Sequence, residues 1–206
     1  LGGIILKFQD IDSFGAHLLA KHFVVFISFF ISGIFVYLII SKIINNKFFC
    51  RTAAFLYLIY PYLLGHGLFS PKDIPFLCFW IICTYISINI FNNLTKDGHF
   101  KYSDVVLISF LSAFLLSVRV AGVLIFIQYL FTLIIFLHSE KLQFKHFLQS
   151  HYKKILSFIL LTTLFTYLFY PVFWRNPLLF FDAIKMMSYH FNNVCTLTLG
   201  KCMFSK

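Results

Sequence analysis

The fold is decided by the stretch His66-Gly67-Leu68-Phe69-Ser70-Pro71-Lys72-Asp73-Ile74-Pro75, which places a charged pair between two strongly apolar runs. The runs Ala53 to Phe69 and Ile74 to Phe91 are each apolar enough to enter a bilayer. The charged pair, Lys72 and Asp73, is therefore predicted to lie at a membrane surface. Ionisable residues at such positions usually serve a substrate or an ion path.

Composition excludes an ordinary soluble domain. The 206 residues are 60% hydrophobic and only 12% charged, with a mean hydropathy of +0.88, whereas soluble domains average about 25% charged residues. These values indicate an integral membrane protein. The formal net charge of +10 comes from lysines in short connectors. We interpret these lysines as residues that orient the chain in the membrane, and we exclude nucleic acid as a partner. Because the chain opens with Leu1 and not with Met, we expect a fragment.

Apolar runs of about 17 to 25 residues predict about six transmembrane helices in an all-α, polytopic fold. The run Val105 to Leu137 would make a helix roughly 50 Å long at about 1.5 Å per residue, too long for a hydrocarbon core of about 30 Å. We therefore predict a break near Arg119. Residues 1–21 are expected to form an outer loop and residues 175–206 an outer interfacial segment. The predicted spans are Phe23 to Ile40, Ala53 to Phe69, Ile74 to Phe91, Val105 to Val118, Val120 to Leu137 and Ile155 to Trp174.

The positive-inside rule predicts the orientation of these spans. One side of the membrane receives most of the lysine and arginine residues in the connectors and is predicted to be cytoplasmic. The Lys72 loop, the Arg119 turn and the tail from Arg175 onward then face outward. The contrast is moderate because the tail also carries lysines. The residues on the cytoplasmic side are Lys42, Lys47, Arg51, Lys96, Lys101, Lys141, Lys145, Lys153 and Lys154.

The tail is predicted to contain an interfacial amphipathic helix. Asn176 is a favourable N-cap, Pro177 suits the first helical position, and Leu178 to His190 has polar residues along one side. Its apolar face would lie in the headgroup region of the bilayer. Of the five cysteines in the chain, Cys195 and Cys202 are the two that could pair.

The Lys72 loop has the chemistry of an anion site. Pro71 and Pro75 predict that a helix starts here, capped by Ser70 or Asp73, so that the positive end of its dipole lies beside the lysine. Arg119 is predicted to emerge on the same side, and the two cations would hold one phosphate or diphosphate. In the alternative interpretation, Lys72 snorkels, Asp73 is only a cap, and Arg119 is a surface anchor.

Three other groups of residues are open to more than one interpretation. His66 either contacts substrate or bonds a backbone carbonyl at a helix end. Asp10 and Asp12 are candidate general bases or simply solvated loop residues. The last group closes the final span and is either a set of substrate contacts or an interfacial anchor: Trp174, Arg175 and Asn176. No motif for a nucleotide, a cofactor or zinc is present, so no cofactor is predicted and metal dependence stays open.

The segment from Gly65 to Phe76 resembles a loop of bacterial membrane glycosyltransferases similar to the protein O-mannosyltransferases, which belong to the GT-C superfamily. Ser117 to Gly122 resembles the arginine-glycine break in the middle spans of that family. Tyr170 to Pro177 resembles its Pro-x-x-Trp-x-Asn-Pro exit from a later span. Lys21-His22 stands where many relatives have Arg-His, and the resemblance covers nearly the whole chain.

The resemblance implies transfer of a sugar from a polyprenyl-phosphate carrier to an acceptor at the outer face of a bacterial inner membrane. It further implies inversion at the anomeric carbon, a loop carboxylate as base, and membrane lipid as a partner. The carrier phosphate would be held by Lys72 and Arg119. The family's catalytic acid follows a first transmembrane helix that this chain is expected to lack, so the catalytic base stays unassigned.

Two rival functions come from other classes. A transporter or lipid flippase would line its path with the same charges and should show a second half that echoes the first. A non-catalytic membrane scaffold predicts no clustering of Lys72, Arg119 and the Trp174 exit.

Overall fold

A computed structural model of the chain describes residues 14–97, 101–174, 176, 178–179, 182, 195–198 and 201–204. The chain divides into two compact units, Leu1–Thr166 and Tyr167–Lys206. The first unit is a bundle of helices. The second contains the end of the last long helix, a short 3-10 turn and a two-stranded antiparallel hairpin.

The described residues form seven α-helices, two 3-10 turns and two strands. The helices are α1 (Phe14–Ile43), α2 (Lys47–Ile59), α3 (Pro61–Phe69), α4 (Asp73–Asp97), α5 (Tyr102–Val118), α6 (Leu124–Ser139) and α7 (Phe144–Phe169). The 3-10 turns are Val120–Val123 and Pro171–Trp174, and the strands are β1 (Cys195–Thr198) and β2 (Lys201–Phe204).

Four helical segments among the described residues are long and apolar enough to cross a membrane. They are Leu18–Ile43, Asp73–Thr95, Val120–Ser139 and Phe144–Phe169. Helices α2 and α3 raise the number to five if they count as one bent span, and α5 is shorter, with 17 residues. The fold is therefore helical with four or five such segments, and the predicted count of about six is not confirmed.

The predicted span Ala53 to Phe69 lies in two helices, α2 and α3, which pass together as one bent apolar segment. Helices α2 and α3 meet at an angle of 59°. Pro61 occupies the first turn of α3, and Tyr60 before it leaves the helical region at ψ 116°. Proline lacks an N–H and crowds the residue before it, so a helix does not continue through this point.

Two other predicted boundaries are corrected. Helix α1 begins at Phe14, inside the residues 1–21 that were predicted as a loop, because no proline or other breaker separates them from the apolar run. Helix α7 covers Phe144–Phe169 instead of Ile155 to Trp174. Its first turns are polar and extend the helix beyond the apolar run, and Pro171 follows its last residue.

The bundle has three buried clusters. The first joins α1 and α4 through Val25, Phe29 and Ile74. The second joins α4, α5 and α6, and the third lies where α4, α6 and α7 come together at the other end of the bundle. The members of the second are Cys83, Leu115 and Ile125, and those of the third are Leu94, Phe136, Leu137 and Phe147. The first cluster includes Ile74, which directly follows Asp73 of the charged loop described below.

The predicted amphipathic helix Leu178 to His190 lies largely outside the described residues. The hairpin that follows was not predicted from the sequence. Its register places Cys195 opposite Phe204 and Cys202 opposite Leu197, so the two cysteines are not direct cross-strand partners.

Candidate functional site

An ion pair joins the loop before α4 to the break after α5. Arg119 Nη1 contacts Asp73 Oδ1, although the two residues are 46 positions apart in the chain. The side chains are 50% and 46% exposed, respectively. The predicted convergence of the loop and the arginine turn is therefore present, and it brings charge to one end of the bundle.

The predicted break at Arg119 is confirmed. Helix α5 ends at Val118, and Arg119 adopts an extended conformation with φ −151° and ψ 140°. Its N–H donates to the Leu115 carbonyl at 3.2 Å, and its carbonyl accepts from Gly122 N at 2.9 Å. These two bonds keep the backbone ordered through the break while the arginine side chain remains half exposed.

Gly122 allows the chain to turn tightly at this break. The residue is buried, and a Cβ atom at its position would lie 3.0 Å from both the carbonyl carbon and the oxygen of Leu115. Those neighbours belong to the backbone and cannot move aside as a flexible side chain would. Glycine at this position therefore allows the chain to pass close to the last turn of α5 without displacing its backbone.

Asp73 uses both carboxylate oxygens. Ser70 Oγ donates to Asp73 Oδ2 at 2.9 Å while Oδ1 accepts from Arg119. Ser70 is 8% exposed, and its N–H donates to the His66 carbonyl at the end of α3. Asp73 is also the first residue of α4. This arrangement orients the guanidinium group of Arg119.

Lys72 is exposed and directly precedes the paired aspartate. Within the described ranges its ammonium group has no hydrogen bond or ion pair. Lys72, Asp73 and Arg119 together carry one net positive charge, because the carboxylate offsets one of the two cations. The N-terminus of α4 adds a favourable dipole for an anion at the same place.

His66 does not make the predicted backbone-carbonyl bond through Nδ1, and its role as a substrate contact stays a prediction. Its ring lies between Tyr62 and Phe69, with centroid distances of 4.5 Å and 5.6 Å. Its Nδ1 atom is buried and has no hydrogen-bond partner in the part of the chain that the structure describes. The expected bond from a histidine to a backbone carbonyl is instead made by His22.

His22 is a structural contact that sequence reasoning missed. Its Nδ1 donates to the Leu68 carbonyl, which ties α1 to the last turn of α3 just before the charged loop. The sequence feature that could have pointed to this contact is the Lys21-His22 pair at the start of an apolar run. A polar ring at that position needs a hydrogen-bond partner.

The second unit uses its polar side chains internally. Trp174 Nε1 donates to the Tyr167 carbonyl at 2.9 Å, and Asn176 Oδ1 accepts from Leu178 N at 3.1 Å. The latter bond is the one expected from an N-cap residue. Partial burial raises the pKa of Tyr170 above its usual value.

Three candidate residues, Asp10, Asp12 and Arg175, lie outside the described residues. Among the residues that are described, no group of three or more His, Cys, Asp or Glu side chains is arranged to hold a metal ion. Comparisons with models of known protein families, with curated proteins and with solved structures find no match.

Proposed function

We propose that this chain belongs to a membrane glycosyltransferase that takes a sugar from a polyprenyl-phosphate carrier. The observation that carries the proposal is the Asp73–Arg119 ion pair beside exposed Lys72. The pair holds a guanidinium group at one end of an apolar bundle, at the N-terminus of α4. The resemblance of the surrounding segments to GT-C enzymes supports the same function.

The charge of this site suits a single phosphodiester. Such a group carries one negative charge, which matches the one net positive charge of Lys72, Asp73 and Arg119. A guanidinium group has enough N–H donors to keep its bond to Asp73 and still bind phosphate oxygens. Lys72 supplies a mobile point charge. A diphosphate carrier would leave excess negative charge at this site.

The same groups assist the transfer step. In that step the bond between the anomeric carbon and the phosphate oxygen breaks, and its electron pair leaves with polyprenyl phosphate. The acceptor forms the new bond from the opposite face and loses its proton to a base. Because negative charge on the phosphate grows as the bond breaks, Lys72 and Arg119 stabilise the transition state more than the ground state.

We assign Asp73 an orienting role and not that of the base. One of its oxygens accepts from Ser70 and the other from Arg119. These two contacts fix the carboxylate against the guanidinium group, which is the geometry of a residue that positions Arg119. Asp10 and Asp12 remain candidates from the sequence alone.

The proposed location is a bacterial inner membrane with the Lys72 loop on the outer face. The lysine-rich connectors at the other end of the bundle would then face the cytoplasm, in keeping with the positive-inside rule. The polyprenyl chain of the donor would lie among lipid tails while its phosphate reaches the surface loop.

The test is a transfer assay with the full-length protein in lipid vesicles. A radiolabelled sugar on polyprenyl phosphate is supplied, and release of free polyprenyl phosphate is measured. We expect release that requires protein, and much less with a polyprenyl-diphosphate donor. Movement of the intact carrier across sealed vesicles without cleavage would contradict the proposal and indicate a flippase.

A further inference from the structure

A second, separate feature of the bundle is an apolar cavity of about 310 Å³. It is bounded by residues of α4, α5, α6 and α7, all within the first unit. This volume is at the lower end of the range of small-molecule pockets. Residues that line it include Ser87, Phe91, Tyr129, Phe147, Lys154 and Phe158.

The cavity is separate from the Asp73–Arg119 pair. Its residues on α4, Ser87 to Phe91, are about 20 to 27 Å along the helix from Asp73 at about 1.5 Å per residue. Its other walls come from the start of α5, from the first ten residues of α6 and from α7. The cavity therefore extends along α6 toward the lysine-rich connectors, and its lining includes none of the charged residues of the proposed donor site.

Aromatic side chains explain why the space exists. Phe158 of α7 contacts the rings of Phe126 and Tyr129 on α6, with centroid distances of 6.0 Å and 6.3 Å. Phe147 of the same helix contacts Phe136 at 6.4 Å. These bulky side chains hold α7 away from its neighbours and leave an apolar gap between the helices.

The lining is apolar except at a few places. Tyr129 is satisfied by Ser112, whose Oγ lies 3.0 Å from the phenol oxygen. Ser87 Oγ is buried and has no hydrogen-bond partner among the described residues. An apolar gap of this kind does not hold water well, but a flexible hydrocarbon chain would fill it.

The end of the bundle on which Lys154 lies is positively charged. Lys154 lines the cavity, and its Nζ lies 5.6 Å from the centroid of the Tyr102 ring at the start of α5. The described charged residues at this end of α5, α6 and α7 are mainly cations. They are Lys101, Lys141, Lys145, Lys153 and Lys154, with Asp104 and Glu140 as the acids. Basic pockets between transmembrane helices favour anionic lipid headgroups.

We propose that this cavity binds an anionic glycerophospholipid. One acyl chain occupies the apolar gap, and the phosphate-bearing headgroup lies at Lys154. The lipid comes from the leaflet at the lysine-rich end of the bundle. The proposal does not depend on the glycosyltransferase function, since it concerns a different cavity and a different ligand.

The test is native mass spectrometry of the full chain, purified in mild detergent and incubated with phosphatidylglycerol or phosphatidylethanolamine. We expect phosphatidylglycerol to be retained in preference. Lys154→Gln should reduce its retention about fivefold. Lys153→Gln is the matched control, because it removes the same charge at the neighbouring position. The side chain of Lys153 lies over the Tyr152 ring and does not line the cavity.

Filling the cavity is the second part of the test. Ser87→Phe and Ile108→Phe place a ring in the space for the acyl chain, and each should lower retention of phosphatidylglycerol, whereas Ser87→Ala should keep it. Ile108 provides an independent wall position if Ser87→Phe does not fold. Equal loss in Lys153→Gln and Lys154→Gln overturns the proposal. Equal retention of both lipids, or unchanged retention in a folded filled variant, also overturns it.

Discussion

The carboxylate of Asp73 joins Ser70 to Arg119, with one oxygen accepting from the serine hydroxyl and the other from the guanidinium group. Ser70 is buried, whereas Asp73 and Arg119 are about half exposed. The buried Ser70 thus positions the exposed guanidinium group of Arg119 through the carboxylate of Asp73.

Asp73→Asn should distinguish the orienting effect of Asp73 on Arg119 from its effect on the net charge of the site. The substitution removes the ion pair and raises the net charge of the site, so attraction alone would strengthen donor binding. If Asp73 orients Arg119, turnover should fall by about one to two orders of magnitude. The melting temperature should change little because exposed ion pairs contribute about 0 to 1 kcal/mol. Steady-state transfer kinetics and thermal unfolding measure the two effects, and unchanged turnover would contradict the orienting role.

Ser70→Ala should lower turnover for the same reason as Asp73→Asn, but by a smaller factor. It removes the hydroxyl that holds Asp73 Oδ2 and should lower the free energy of unfolding by about 1 kcal/mol. Ser103→Ala, at an exposed position near the start of α5, is the control. Equal behaviour of the two variants in the transfer assay would show that the Ser70 bond is not needed.

Gly122→Ala should destabilise the break after α5. The new Cβ would lie 3.0 Å from the Leu115 carbonyl, and relieving this contact requires backbone movement. The expected loss in unfolding free energy is about 1 to 3 kcal/mol. Gly65→Ala is the matched control, because a Cβ there would meet no atom within 4 Å. Chemical denaturation in detergent compares the two variants, and similar stabilities would contradict the tight-turn explanation.

The proposed orientation predicts opposite accessibility for the two ends of the bundle. Lys72→Cys and Lys145→Cys, each at an exposed position, should be placed in a background from which the native cysteines have been removed. A membrane-impermeant maleimide added to intact cells should label the first variant and spare the second. Labelling of Lys145→Cys alone would show the reverse orientation, and labelling of both variants only after lysis would contradict the placement of the Lys72 loop on the outer face.

The sequence predicted the position of the charged loop and the break at Arg119 because both depend on local properties. Prolines and charge interrupt an apolar run, and the run Val105 to Leu137 is too long for one bilayer crossing. The bend at Pro61 was missed because hydropathy does not report the missing N–H of a proline. The start of α1 was missed because a loop was inferred only from lower hydropathy.

The site itself was only partly predictable. Lys72 and Arg119 were predicted to act together, but the ion pair to Asp73 depends on how α4 and α5 pack, since the residues are 46 positions apart. The bond from His22 to the Leu68 carbonyl is a tertiary contact of the same type. The apolar cavity depends on which aromatic rings face one another, and no one-dimensional pattern contains that information.

The measurement that tests the central claim most directly is the binding of polyprenyl monophosphate to the wild-type protein and to Lys72→Ala. It can be made in nanodiscs without knowledge of the acceptor or the base. We predict that Lys72→Ala weakens binding about tenfold or more, as expected for loss of a charge-assisted contact to phosphate. Lys145→Ala, which removes an exposed lysine at the other end of the bundle, should leave binding unchanged. Equal affinity of the wild type and Lys72→Ala would contradict the phosphate site at this loop.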